Sequence, residues 1–312
     1  MNPSGHQKNP SGHQLKTVHI PNMDIRPPKS TSGDFDTPSM CIAGHCVVLC
    51  VGKRRSGKTT ACTSLIEKMK FDYVIAVSAT MASNKELMSR LNIQHEFDPD
   101  GGDTIDKIKE IVEAEATDLE RYQEEMRRYR KLMKLIHSES PLFRLPEEDL
   151  AAFYKDGDFK PPEHKWNGRK PKIAVIFDDC LGSQVYAKPR KLNGLATYSR
   201  HIGQLKEGGA IGVSLFFLVQ SYKCQAGGLN KVVRNQCTCL MVFRTKDQAE
   251  QDDIADSVAG EIDRVTFNRV YDEAIGDGEG HPFLLVDFAK RKEHPSMFRR
   301  RLNEFILPVP VP

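Results

Sequence analysis

Six short runs of nearly unbroken apolar residues punctuate the chain: Cys46–Val51, Tyr73–Ser78, Ile173–Phe177, Val213–Val219, Cys239–Phe243 and Phe283–Phe288. A half-exposed strand alternates apolar with polar positions, so runs this continuous predict strands buried on both faces of a sheet. Between most of them apolar residues return every three or four positions, which predicts helices over Thr60–Lys70, Ser83–Leu91, Arg190–Lys206, Lys246–Ala259 and Asp263–Ala274. This alternation predicts an α/β fold, a mostly parallel central sheet with helices on both faces.

One segment departs from the alternation. Between Ile105 and Ile136 apolar residues recur every seven positions in two rows: Ile105, Val112, Leu119, Met126, Met133, and Ile108, Glu115, Tyr122, Tyr129, Ile136. Glu115 is the one break. A continuous helix here would be about 48 Å long at ~1.5 Å per residue. It is expected to pack on its own subunit, with pairing to a second helix or subunit as the alternative. The stretch Ser138–Lys172, with Pro141, Pro146, Pro161, Pro162 and Pro171, is loop-rich and returns the chain to the core. The expected layout is a flexible N-terminal arm over 1–40, a domain over 41–300 with a helical and loop insertion at 104–172, and a tail over 301–312. The arm is proline-rich and repeats Asn2-Pro3-Ser4-Gly5-His6-Gln7 as Asn9-Pro10-Ser11-Gly12-His13-Gln14, as low-complexity segments do. Within that repeat His6 and His13 read as repetition in preference to a metal site.

Composition narrows the class. The chain has 312 residues, 39% hydrophobic and 28% charged, as a globular protein with a solvated surface has. No apolar run approaches the ~18 residues of a membrane span, and the polar start, Met1–Gln14, lacks the apolar core of a secretory leader. The eight cysteines show no paired C-x-x-C pattern, and reduced thiols in a cytosol-like compartment are expected. A net charge of +3 is too small to argue for nucleic acid, so any such argument rests on local patches.

The chemistry concentrates after the first apolar run. Gly52-Lys53-Arg54-Arg55-Ser56-Gly57-Lys58-Thr59 fits G-x-x-x-x-G-K-[ST], with a strand before it and a helix from Thr60 after it. Backbone N–H groups of such a loop close around phosphate oxygens, and the helix N-terminus adds its positive end. Lys58 is expected to reach the β- and γ-phosphates of ATP and Thr59 to hold Mg²⁺. The run Ile173–Phe177 ends in Asp178 and Asp179: the first carboxylate suits the metal and the second suits polarisation of an attacking water. The run ending at Val219 delivers Gln220 to the carboxyl end of a strand, where α/β sheets bind ligands, as a candidate γ-phosphate sensor. Phosphoryl transfer also needs cations in the transition state. The candidates are Arg54 and Arg55 in the loop, Arg200 near a helix end, and Arg234 before the Cys239 strand.

The loop, Phe177-Asp178-Asp179-Cys180, Ser199-Arg200-His201, Phe217-Leu218-Val219-Gln220-Ser221-Tyr222 and Arg234-Asn235 occur in an order that resembles the poxvirus-type DNA-packaging ATPases of the FtsK–HerA superfamily. The resemblance covers about residues 41–290. It implies a P-loop NTPase fold, a homo-oligomeric ring, and ATP-driven movement of double-stranded DNA into a capsid, with a capsid or portal component as partner. It also implies residence in the host cytoplasm or viral factory, and in the virion. By this likeness residues Gly52 to Thr60 bind nucleotide, Thr59 and Asp178 hold Mg²⁺, and Lys58, Asp179, Gln220, Arg200 and Arg234 serve catalysis. The chain departs from the pattern in its Asp-Asp pair, where Asp-Glu is common, and in the size of its 104–172 insertion. No nuclease segment follows Phe288.

Three rival readings stand beside this one: a small-molecule kinase, a nucleotide-binding virion assembly protein, and a cellular motor of the same superfamily. Dispersed arginines and the Gln-ended strand disfavour the kinase, and intact Lys58, Thr59, Asp178 and Asp179 disfavour a non-catalytic protein. Lys290-Arg291-Lys292 and Arg299-Arg300-Arg301 are the candidate DNA contacts, of the backbone type that ignores sequence, with an ordinary solvated tail as the alternative.

Overall fold

The computed structural model describes residues 35–79, 89–138, 146–223, 228–258, 260, 262–276 and 280–308. The histidine repeat, Cys224 and most of the helix expected over Ser83–Leu91 lie outside these residues. A nine-stranded sheet organises the molecule. Its strands are β1 (Val47–Val51), β2 (Tyr73–Ser78), β3 (Ile93–Phe97), β6 (Ile173–Asp178), β7 (Ser214–Val219), β8 (Cys239–Phe243), β9 (Phe283–Asp287), β10 (Phe298–Arg300) and β11 (Glu304–Ile306). A separate small hairpin pairs β4 (Tyr154–Lys155) with β5 (Asp158–Phe159). The order across the sheet is β11-β10-β9-β8-β1-β7-β6-β2-β3.

Strands β8, β1, β7, β6, β2 and β3 run parallel, as the unbroken apolar runs predict. The last expected strand joins differently: β9 lies antiparallel on β8, and β10 and β11 extend the antiparallel edge. Strand β1 is central and buried throughout. Period-two geometry sends its side chains to two cores. Val48 and Cys50 face a cluster with Cys62, Leu65, Ile66 and Met69 of α1 (Lys58–Met69). Val47, Leu49 and Val51 face the other, larger cluster. That cluster takes side chains from α2 (Thr104–His137), α5 (Pro189–Tyr198), α7 (Gln248–Val258) and α8 (Arg264–Ile275). Short helices α3 (Glu147–Phe153), α4 (Gln184–Ala187) and α6 (Lys231–Asn235) complete the described helices.

The helix expected over Arg190–Lys206 is shorter than its pattern. It ends at Tyr198, Ser199–His201 tighten into a 3₁₀ turn, and Ile202 is extended. Gly203 follows with φ +67°, where a Cβ would lie 2.8 Å from the carbonyl oxygen of Val112 on α2, so the chain turns away against that helix.

The long helix is real, and its heptad stripe is only half used. Ile105, Ile108, Val112, Ala116 and Leu119 enter the main core. Past Leu119 the helix changes partner: Leu132 packs with Phe153 of α3, flanked by Tyr129, Leu135, Ile136, Leu150 and Phe159, in a separate small core. Met126 is half-buried. Glu115, the break in the stripe, is 7% exposed. Its carboxylate accepts from Trp166 Nε1 (2.7 Å) and from Lys165, and Tyr73 donates to it at 3.4 Å, so the insertion's return is bonded to the helix it left.

The boundaries also move. Residues 35–40, expected in the arm, pack on the domain: Phe35 meets His45 and Phe71 edge-on, and Thr37 Oγ1 donates to the Ile42 carbonyl. The expected tail over 301–312 begins with a turn and β11.

Candidate nucleotide-binding site

Strand β1 ends at Val51 and the chain turns at once into the glycine loop, tied to β7 by Gly52 N–H donating to Val219 O at 3.1 Å. Gly57 sits at the N-cap of α1 with φ +94°. A Cβ there would lie 2.7 Å from His281 Cβ, so glycine is required both for the backbone and for the close approach of the segment before β9. No side chain caps the helix. Its first N–H groups therefore open toward a ligand, and an anion is the group that satisfies them. Ser56 Oγ is buried without a hydrogen-bond partner, a second polar atom awaiting one in the same loop. Lys58 Nζ donates to the carbonyls of Gly52 (2.6 Å) and Lys53 (3.0 Å), curled onto its own loop. Burial lowers its pKa, while Asp178, Cys50 and Asp179 favour its charge. Thr59 and Thr60 follow in the first turn of α1.

The parallel register brings the other predicted groups to the same end of the sheet. Val51 pairs with Val219, and Asp178 with Leu218 and Ser78. Asp178 is 6% exposed, and its pKa is pushed up to about 6 by burial and by the neighbouring Asp179, against Lys58. Asp179 is exposed, adopts φ +54°, and accepts a 3.1 Å hydrogen bond from Gln220 Nε2. The donor set fits the implied pair of ligands. Uncapped N–H groups, Ser56 and Lys58 suit phosphate, and the Thr59 hydroxyl with the Asp178 carboxylate suits a hard cation such as Mg²⁺.

Beside the loop lies a cleft of about 910 Å³ lined by Lys53, Arg54, Arg55, Ser56, Arg244 and Lys246, with Asp247, Gln248 and His281 among its other walls. The sequence pattern marks the first three of these cations and misses Arg244, Lys246, Asp247, Gln248 and His281. Arg244 to Gln248 follow the carboxyl end of β8 and His281 precedes β9, so their place depends on the pairing of β8 with β1 and of β9 with β8.

Of the two other predicted arginines, one lies elsewhere. Arg200 is exposed and lines a small cavity with His45, Cys46 and Val47, at the amino end of β1. The loop leaves the other end, roughly 17 Å away for a five-residue strand. Arg200 thus lies at the opposite end of the sheet from the glycine loop. Arg234 is expected at the sheet end where Gln220 emerges. The helix that carries it, α6, leads into the amino end of β8, and the Arg234 side chain reaches back to the segment just after Gln220. Its guanidinium donates to the carbonyls of Tyr222 (3.1 Å) and Leu229 (3.0 Å) and lies over the Tyr222 ring, which fixes a connection.

The basic clusters after β9 are largely consumed by packing, which corrects their reading as an open DNA surface. Arg299, 4% exposed, donates to Met40 O at 2.6 Å and faces Asp287. Arg291 donates to Thr37 O at 3.1 Å, Lys290 to His294 O at 2.9 Å, and Arg300 to Glu273 O at 2.7 Å. These bonds hold the cations against the fold.

All seven cysteines among the described residues are free thiols, and no described helix is long and apolar enough to cross a membrane. No protein-family model and no curated protein sequence matches the chain. Among solved structures it is similar to B204, the DNA-packaging ATPase from Sulfolobus Turreted Icosahedral Virus, at 13% identity and TM-score 0.42, over 82% of this chain and 97% of that one. It is also similar to the monomer form of the pCW3 conjugation coupling protein TcpA, at 14% identity and TM-score 0.38, over 82% of this chain and 60% of that one. A further likeness is to the cytoplasmic domain of the Type VII secretion ATPase EccC from Thermomonospora curvata, at 16% identity and TM-score 0.39, over 81% of this chain and 24% of that one. The fold and the chemistry described above stand on the strands and side chains of this chain.

Proposed function

We propose that this chain is an Mg²⁺-dependent ATPase that moves double-stranded DNA into a viral capsid, working as a homo-oligomeric ring. The observation that carries the reading is the convergence at one sheet end of an uncapped glycine loop, Asp178, and the Gln220–Asp179 hydrogen bond. A bound Mg²⁺ supplies charge neutralisation at the phosphates. The chain's own groups do the rest. The loop N–H groups and Lys58 hold the phosphates, Thr59 and Asp178 hold the cation, and Asp179 takes up the proton of an attacking water. Gln220, bonded to that carboxylate, links its position to the occupancy of the γ-phosphate subsite.

Arg200, remote from its own loop, acts in a neighbour's site in this reading, and ring assembly is what brings it there. Free thiols suit a reducing compartment, the host cytoplasm or viral factory. The test is ATP hydrolysis with and without duplex DNA, measured beside the native mass of the assembly. Hydrolysis stimulated by duplex in an oligomer supports the motor. Hydrolysis that ignores DNA in a monomer removes it.

A further inference from the structure

Helix α2 changes both partner and charge along its length. Its first half carries acids, and Glu125 is the last of them: from Met126 to Ser138 there is no carboxylate, while Arg127, Arg128, Arg130, Lys131, Lys134 and His137 all fall there. At about 100° per residue, Leu132, which packs on α3, points roughly 140° away from Leu119, which packs on the sheet. Arg127, Arg130, Lys134 and His137, spaced i, i+3, i+7, i+10, share the face opposite Leu132. They continue, beyond the edge of the main core, the side by which the helix sits on the sheet.

Some of these cations are spoken for. Arg128 pairs with Asp149 of α3, and Arg127 with Glu124 and Glu207. Arg130, Lys131 and Lys134 are exposed and have no ion-pair partner among the described residues. A cleft of about 300 Å³ between α2 and the Asn167–Gly168 turn opens beside Arg130 and leads onto this ridge. Positive side chains clustered on one helix face repel one another, and a carboxylate at any of these positions would relieve that. The ridge is held in place by the small core on its far side, so it stands as a fixed surface.

We infer that the overhanging half of α2 is a binding surface for the phosphate backbone of duplex DNA, with Arg130, Lys131 and Lys134 as the contacting residues. The inference rests on the DNA-motor reading and gives that reading a contact surface apart from the clusters after β9, where Lys290, Arg291, Arg299 and Arg300 are bonded within the fold. Lys131 lies to one side of Arg130 and Lys134, so the three present a compact patch little more than one turn long. Such a patch engages neighbouring phosphates without reading bases, as a motor indifferent to sequence requires. An acidic protein surface is the competing partner.

The test replaces Arg130, Lys131 and Lys134 together with Gln, which keeps helix propensity, and compares the full chain with Lys290→Gln/Lys292→Gln as a control. Duplex affinity is measured against salt, with polyglutamate as a rival polyanion and ATP hydrolysis as a separate readout. The triple variant is expected to flatten the slope of log affinity against log salt by about 2–3, near 0.9 for each phosphate no longer neutralised. It should lose DNA stimulation and keep its basal hydrolysis, and the control should match the wild type. An unchanged slope in a wild type that binds duplex overturns the surface and leaves the motor reading standing. A wild type that hydrolyses ATP yet prefers polyglutamate to duplex overturns the choice of partner. A wild type that neither hydrolyses ATP nor binds duplex overturns the surface together with the reading beneath it.

Discussion

Gln220 and Asp179 leave adjacent parallel strands of the sheet and meet at 3.1 Å, the amide of one donating to the carboxylate of the other. The pair makes each residue's task separable. Lys58→Ala should lose nucleotide binding, because Lys58 meets phosphate in the ground state. Asp179→Asn should keep nucleotide affinity and lose about 10²–10⁴ in hydrolysis rate, the usual contribution of a general base. Gln220→Ala should fall between wild type and Asp179→Asn, with affinity retained. Turnover near the wild-type rate in Asp179→Asn would assign the water to another group.

Asp178 sets a pH dependence on the nucleotide-free protein. Its folded pKa of about 6 stands above the ordinary aspartate value of 3.8, so the folded state binds the proton more tightly than the unfolded chain does. Stability from this group is therefore complete below about pH 4, declines as pH rises toward 6, and stays level above. The difference amounts to something on the order of 3 kcal/mol for this buried group. Asp178→Asn should raise the melting temperature at pH 7 and leave it unchanged near pH 4, while abolishing Mg²⁺-supported hydrolysis. A melting temperature lowered at pH 7 would show that the charged form is the stabilised one.

Leu119 and Met126 occupy the same sequence stripe and different surroundings. Leu119 is 1% exposed in the main core, whereas Met126 borders an open cleft. Leu119→Glu should cost several kcal/mol, since it buries a charge without a partner. Met126→Glu should change the melting temperature little. Equal losses in thermal denaturation would mean that the stripe is sealed along its whole length, by a second subunit.

Arg200 gives the ring its own test. Arg200→Ala should bind ATP normally and hydrolyse it about 10³–10⁵-fold more slowly, the usual worth of an arginine supplied in trans. Mixing it with Lys58→Ala subunits should restore part of the activity, because one preparation keeps the arginine and the other the loop. Co-assembled mixtures that stay inactive at every ratio would shift the role to Arg54.

The parts of this fold that are legible in the sequence are those whose burial is symmetric. Strands β1, β2, β6, β7 and β8 are buried on both faces, so their runs stand out unbroken. Strand β3 escapes the pattern because it is an edge strand: Ile93, His95 and Phe97 are half-buried while Gln94 and Glu96 are exposed, and its polar half hides it. Strand β10 escapes because Arg299 and Arg300 read as surface charge. The structure buries Arg299 by giving it the Met40 carbonyl and Asp287, a match between positions far apart in sequence. The heptad pattern of α2 announces the helix, and its length too, and is silent on the exchange of partners after Leu119. At the site, the glycine loop, the two aspartates and Gln220 are each local to a strand end and are legible. The far side of the cleft, Arg244 to Gln248 and His281, depends on β8 lying next to β1 and on β9 folding back along β8, which no local pattern encodes.

The central position of β1 bears on how the chain is made. Its neighbours are β7 and β8, with Val47 beside Leu215 and Val48 beside Cys239. A ribosome delivers β1 early and both flanking strands late. For most of synthesis the strand that ends in the glycine loop has no edge to pair with, and pairings this distant in sequence are slow to close. The nascent chain therefore holds an apolar β1 with neither edge paired until β7 is complete at Val219, and with one edge open until β8 is complete at Phe243, which exposes it to aggregation over that interval. Truncations that stop short of β8 should be insoluble, even though they contain the complete loop, both aspartates and Gln220.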